Sequence, residues 1–155
     1  MLAGADACSV LTAGGGVRMF GRKLEKPYVA AVVPAAGAST RMDGLDKQFE
    51  ELGGAPVIVH TLSALAESDW IDEIVVVMRA QDIPDLFTLI RAFGIPKVRS
   101  IVAGGATRQQ SVANGVQAVS AHTEYIAVHD GARPLVSQQV IAQAVIDAIR
   151  YQAAA

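Results

Sequence analysis

AAVVPAAGASTRMDGLDKQ, residues 30–48, decides how the chain is read. Ala30 to Val33 is a continuous apolar run rather than an alternating one, the pattern of a strand buried on both faces of a parallel sheet. After Pro34 come Ala35, Ala36, Gly37, Ala38, Ser39 and Thr40. These carry so little side-chain bulk that backbone N–H groups can close around a polyphosphate. Arg41 and Lys47 then supply cations at the far end of the loop. The stretch reads as a strand that delivers a nucleotide to a backbone cradle.

Working outward, residues 56–67 place Ile58, Leu62 and Leu65 at helical spacing, with Pro56 in the first turn. Ile71 to Met78 is a β-branched run and a second buried strand. Asp82 is the expected N-cap of a helix whose apolar face carries Ile83, Leu86, Phe87 and Ile90, closed by Gly94 and followed by a strand from Val98 to Val102. Thr107 and Gln110 form a capping-box pair ahead of Val112, Val116 and Val119, which predict an amphipathic helix. Tyr125 to Val128 is a short strand, and Ser137 caps a last helix bearing Ile141, Val145, Ala148 and Ile149. Strands alternating with helices in this way predict an α/β protein built on a doubly wound, mostly parallel sheet with helices on both faces. Ligands of such sheets sit beyond the carboxyl ends of the strands. The segments from Pro34, from Gly104 and from Asp130 all occupy such ends.

With 155 residues, 52% of them hydrophobic, the chain has the length of one domain and can bury a substantial core. Its formal net charge of −2 gives no field favouring nucleic acid. A polyanionic ligand must be held by local cations, which directs attention to Arg41, Lys47, Arg108 and Arg133. A lone Cys8 has no disulfide partner, the usage of an intracellular protein, and no apolar run reaches the roughly 18 residues of a membrane span. Residues 1–27 lack the basic start and apolar centre of a signal peptide. They are expected to be a flexible extension ahead of a nucleotide-binding domain over 28–155. Two readings of that extension stay open: a genuine tail, or an upstream piece before a true start at Met19.

Three strings carry a resemblance. PAAGASTRM followed by DKQF resembles the signature loop of sugar-nucleotide and cytidylyl pyrophosphorylases; GGATRQQSV (104–112) and HDGARP (129–134) are similar to the second and third motifs of the 2-C-methyl-D-erythritol 4-phosphate cytidylyltransferase family of the non-mevalonate isoprenoid pathway. The resemblance runs from Tyr28 to about the C-terminus with the motifs in order. It implies a Rossmann-like nucleotidyltransferase fold, C-terminally incomplete here because the family is longer. It also implies CTP and a sugar-alcohol phosphate as substrates, Mg²⁺ as cofactor, a cytoplasmic location and a homodimer at full length.

Transfer of a cytidylyl group is an in-line attack on the α-phosphorus of CTP that releases pyrophosphate, so catalysis is mainly positioning and charge stabilisation. By resemblance Arg41 and Lys47 are the catalytic cations. Ala35, Ala36, Gly37, Ala38, Gly105, Ser111, Asp130 and Arg133 contact CTP, and Asp130 meets the metal. On their own, the residues also allow Asp130 to cap the GARP turn, Arg133 to pair with Asp130, and Ser111 to bond the preceding helical turn. Arg108 is placed to orient its loop. His60, His122, His129 and Trp70 are expected to be structural. Asp46 stands where many relatives have Pro, beside Lys47. Two other outcomes remain open: a ribitol-5-phosphate cytidylyltransferase, or a non-catalytic CTP-binding module, since the chain lacks the family's C-terminal part.

Overall fold

A computed structural model describes residues 17–19, 22–24, 26–37 and 47–152. The chain begins there with an antiparallel pair, β1 (Val17–Met19) and β2 (Arg22–Leu24). Residues 1–16, where most of the expected extension falls, lie outside the described residues. β3 (Val29–Pro34) follows, then a small hairpin of β4 (Glu51–Leu52) and β5 (Ala55–Pro56), and α1 (Val57–Ala66). The remainder alternates: β6 (Glu73–Met78), α2 (Ile83–Ala92), β7 (Val98–Ala103), α3 (Arg108–Gln117), β8 (Tyr125–Val128) and α4 (Gln138–Tyr151).

The main sheet is parallel, with spatial order β7-β6-β3-β8. The chain steps outward from β3 to β6 to β7, then returns through α3 to place β8 on the other side of β3. Right-handed crossovers put helices on opposite faces when the direction of stepping reverses, and the reversal opens a crevice between β3 and β8 at their carboxyl ends. Residues Ala30 to Val33 and Ile74 to Met78 are all fully buried, which explains why both strands read as unbroken apolar runs. On one face Ala31, Val33, Ile74, Val76 and Met78 pack with Ile58 and Leu62 of α1, Leu86 of α2, and Ile141 and Val145 of α4. Burial on this scale is worth roughly 1.5–3 kcal/mol per large aliphatic side chain.

The opposite face is covered by α3 in a way the apolar spacing does not anticipate. The buried residues of this helix are Ser111 and Gly115, whereas Val116 is 38% exposed and Val112 and Val119 are only partly covered. A Cβ on Gly115 would lie 2.5 Å from Val32 Cγ1 and 2.8 Å from Val77 Cγ2. The helix therefore sits against the sheet on its least bulky stripe, Val112 and Val116 are displaced to its flank, and Val119 lies beyond its end. On the same face Ile126 and Val128 of β8, the rim strand, stay 39% and 47% exposed.

Smaller departures have equally local causes. Pro56 is the N-cap of α1 rather than part of its first turn, because it still pairs with Glu51 across the hairpin. The hairpin turns on Gly53 and Gly54, both at positive φ, as a two-residue primed turn requires. Asp82 occupies the N-cap position of α2 but makes no capping bond; its carboxylate takes Arg79 instead. Phe87, expected on the buried face of α2, is 53% exposed, and only Leu86 is fully buried there. Gly94 closes α2 at φ 61° as expected.

The amino ends of the strands are stitched by carboxylates. Glu73, 2% exposed, accepts from Ser120 N (2.6 Å), the Ser120 hydroxyl and the Tyr28 hydroxyl (3.3 Å). A register shift between β6 and β7 leaves Arg99 out of the pairing, and its Nε lies 3.8 Å from Glu73 Oε2. Burial pushes the Glu73 pKa up, but the bonds from Ser120 and Tyr28 and the Arg99 charge outweigh it and hold it below its usual value. Asp72 next to it accepts from Val29 N and pairs with Lys26.

Candidate active site

The loops that follow the strands leave the sheet at one level because backbone bonds continue the ladder beyond the strand ends. Ala35 N donates to Val77 O (2.7 Å), Gly104 N to Met78 O (2.9 Å), His129 N to Val32 O (3.0 Å) and Gly131 N to Pro34 O (3.3 Å). Between them lies a cleft of about 500 Å³, a size suited to a nucleotide. Ala36, Gly37, Gln48, Gly105, Arg108, Ser111, Asp130 and Arg133 are among the residues that line it. A Cβ on Gly104 would fall 2.3 Å from Ala36 Cβ, so glycine alone lets the loops after β3 and β7 meet.

The floor on the α3 side is built from hydrogen bonds. Thr107 caps the helix by accepting from Gln110 N (3.1 Å), and Gln110 Oε1 reaches back to accept from Ala106 N (3.1 Å), one residue earlier than in the usual reciprocal box. Ser111 Oγ accepts from Gly105 N (3.0 Å) and donates to Thr107 O (3.0 Å). Its proton is therefore spent on the helix, and the residue lines the cleft while almost fully buried. The backbone N–H groups of Gly105, Ala106 and Gln110 are likewise engaged. Positive potential here comes from the helix N-terminus and from two guanidinium groups.

Those groups flank Asp130. Arg108 Nη2 is 2.5 Å from Asp130 Oδ1, and Arg133 Nε is 3.1 Å from Oδ2. The hydrogen bond from Arg108 holds the Asp130 pKa below the usual carboxylate range against partial burial, with further help from the charges of Arg108 and Arg133. Arg133 thus makes the pair with Asp130 that the residues alone allowed, and it also lines the cleft. Arg108 ties the start of α3 to the turn after β8. His129 Nε2 bonds Arg133 O (3.1 Å) and closes that same turn.

Of the residues singled out from sequence, Ala36, Gly37, Gly105, Ser111, Asp130 and Arg133 come together around the cleft. Ala35 lies beneath it, 3% exposed, with its N–H already bonded to Val77 O. Lys47 is exposed on the turn that leads to the buried, cleft-lining Gln48. Ala38 and Arg41 fall outside the described residues. His60 Nε2 donates to Leu52 O (2.6 Å), His122 packs edge-on against Tyr28, and Trp70 packs against the core, all structural roles. Gln48 and Thr61 escaped the sequence reading. For Gln48 the signal was its place beside Lys47; for Thr61 it was a hydroxyl in an otherwise apolar helical row.

Asp130 is, among the described residues, the carboxylate that lines the cleft. Among the described residues no cluster of three or more His, Cys, Asp or Glu side chains exists to hold a metal without help. One ionised carboxylate in a nucleotide-sized cleft does suit Mg²⁺, which takes few protein ligands and completes its shell with phosphate oxygens and water.

The family model for IspD, 2-C-methyl-D-erythritol 4-phosphate cytidylyltransferase, matches residues 29–155. A protein of that name from Halalkalibacterium halodurans is 41% identical over 126 residues, covering 81% of this chain and 55% of its own length. Another from Syntrophus aciditrophicus is 41% identical over 132 residues, covering 84% of this chain and 56% of its own. The crystal structure of 4-diphosphocytidyl-2C-methyl-D-erythritolsynthase from Anaerococcus prevotii superposes with a TM-score of 0.68 at 30% identity, covering 81% of this chain and 52% of that one. The chain thus spans about half the length of the curated relatives it matches.

Proposed function

Because the chain belongs to the 2-C-methyl-D-erythritol 4-phosphate cytidylyltransferase family, we propose that it forms the CTP-binding half of an enzyme that transfers CMP from CTP to 2-C-methyl-D-erythritol 4-phosphate. The observation that carries the reading is the convergence of Gly37, Gly105, Ser111, Asp130 and Arg133 on one cleft at the reversal point of the sheet. That crevice is where open parallel sheets take nucleotides.

In the transfer, an oxygen of the acceptor phosphate forms a bond to the α-phosphorus of CTP as the bond from that phosphorus to the bridging oxygen breaks, and pyrophosphate departs with the electron pair. After β3, Ala36 and Gly37 offer the phosphates small residues and backbone dipoles. Arg41 and Lys47 supply the cations that stabilise charge gathering on the α-phosphate and the leaving group. Arg108 and Arg133 add positive potential at the cleft and keep Asp130 ionised. Asp130 is the residue that would hold Mg²⁺, which would supply charge neutralisation for the phosphates. Cytosine lies against the segment from Gly105 to Ser111, where backbone groups and the Ser111 oxygen offer partners to its edge. A cytoplasmic homodimer is part of the same proposal.

Calorimetric titration with CTP and Mg²⁺, with ATP, GTP and UTP as controls, tests it. Selective CTP binding is expected. A folded sample that binds no nucleotide, or all four alike, refutes it.

A further inference from the structure

We infer that Thr61 is a positioning residue for the charged turn after β8, acting through the Gly131 carbonyl; its consequence for CTP rests on the function proposed above. A threonine in a helix ordinarily returns its hydroxyl to the carbonyl four residues back. Thr61 Oγ1 lies 3.2 Å from Val57 O, but only 2.9 Å from Gly131 O, on a loop 70 residues further along the chain. The hydroxyl has a single hydrogen, and the shorter contact is the buried one. Thr61 is itself fully buried in a row otherwise made by Ile58, Leu62 and Leu65, where a valine would serve equally well for packing alone.

Gly131 is held on every side. Its N–H donates to Pro34 O at 3.3 Å, and its carbonyl accepts from Thr61. A Cβ there would come within 3.0 Å of both Ala35 Cβ and Ile58 Cδ1, so the backbone is pressed against β3 and α1. The next bond in the turn runs from Arg133 N to Asp130 O (3.2 Å). Fixing Gly131 therefore fixes the turn that carries both Asp130 and Arg133 into the cleft. Through this backbone carbonyl Thr61 sets the height at which the turn leaves the sheet.

The test compares Thr61→Val, which keeps the shape and removes the donor, with Thr61→Ser, which keeps the donor. Amide hydrogen exchange of Gly131 and Arg133 is measured against Val76 in the centre of the sheet as an internal reference. Loss of one hydrogen bond to a buried carbonyl is expected to speed exchange at Gly131 and Arg133 about tenfold in Thr61→Val, with Thr61→Ser near wild type. CTP affinity in the presence of Mg²⁺ is expected to fall about tenfold in the first variant and to be restored in the second. If Thr61→Val does not fold, Thr61→Ala removes the same donor and is read the same way. Unchanged exchange at Gly131 and Arg133, or equal effects of the valine and serine variants, overturns the inference. The exchange difference between wild type and Thr61→Val, together with a wild type that binds no CTP, refutes the proposed function and leaves the clamp standing.

Discussion

Replacing Gly115 by alanine sets two effects of opposite sign against each other. In an exposed helix the change would gain about 1 kcal/mol, because alanine loses less backbone entropy than glycine. In α3 the new methyl would lie 2.5 Å from Val32 Cγ1 and 2.8 Å from Val77 Cγ2, both well inside the roughly 3.5–4.0 Å of an ordinary carbon contact. Neither valine can turn aside, since both are fully buried on adjacent central strands. The helix must lift away from the sheet, and overpacking of this kind costs about 1–3 kcal/mol. With the valines fixed, the upper part of that range applies, leaving a net loss of about 1–2 kcal/mol. Urea denaturation followed by circular dichroism measures it, with Val116→Ala as a companion. Val116 is 38% exposed, so its truncation should cost below about 1 kcal/mol. A Gly115→Ala protein as stable as wild type or more so, or a larger loss from Val116→Ala, would refute the close approach and restore the valine face expected from spacing.

Three further outcomes can be measured. Glu73→Gln leaves one acceptor oxygen where the carboxylate served Ser120 and Tyr28 with two, and should cost about 2–3 kcal/mol at neutral pH. The Glu73 pKa is lowered in the folded state, so its contribution is fully present above the unfolded value of about 4.3 and fades as pH falls through the folded one. The stability gap between wild type and variant should therefore close on acidification; a constant gap contradicts the assignment. Arg108→Met should raise the Asp130 pKa toward its ordinary value, read by carboxyl NMR, while changing stability by less than about 1 kcal/mol, because the Arg108 side chain is 66% exposed. Lys47→Ala should leave the unfolding curve unmoved, as an exposed turn residue must, and reduce cytidylyl transfer far more than CTP affinity. Equal losses would remove Lys47 from the transition-state role.

What the sequence disclosed follows from which physical demands leave a compositional trace. β3 and β6 were legible because a strand covered on both faces must be apolar at every position. The Thr107 and Ser137 caps were legible because few side chains can accept from the free N–H groups of a helix start, and both make the expected bond. The hairpin of β4 and β5 left no periodicity, with only two residues per strand. The buried stripe of α3 was misread because apolar spacing registers bulk, whereas close helix-to-sheet contact selects its absence, at Ser111 and Gly115. At the cleft, the residues after β3, β7 and β8 were visible as motifs. Thr61 was not, since it serves the site from inside the core, through a backbone carbonyl that no pattern of side chains reports.

The buried Glu73 also bears on the order of events in folding. Its partners Tyr28, Ser120 and Thr123 lie 45, 47 and 50 residues away along the chain, so the knot closes only when three strands and α3 are already in place. Contacts of such sequence separation are expected to form late and to contribute little to the folding transition state. Their stabilisation resides in the barrier to leaving the native state, and a defect at Glu73 would appear as faster unfolding with an almost unaltered folding rate. The end of the sheet remote from the cleft is therefore expected to act as a kinetic lock, separate from the end that carries the cleft loops.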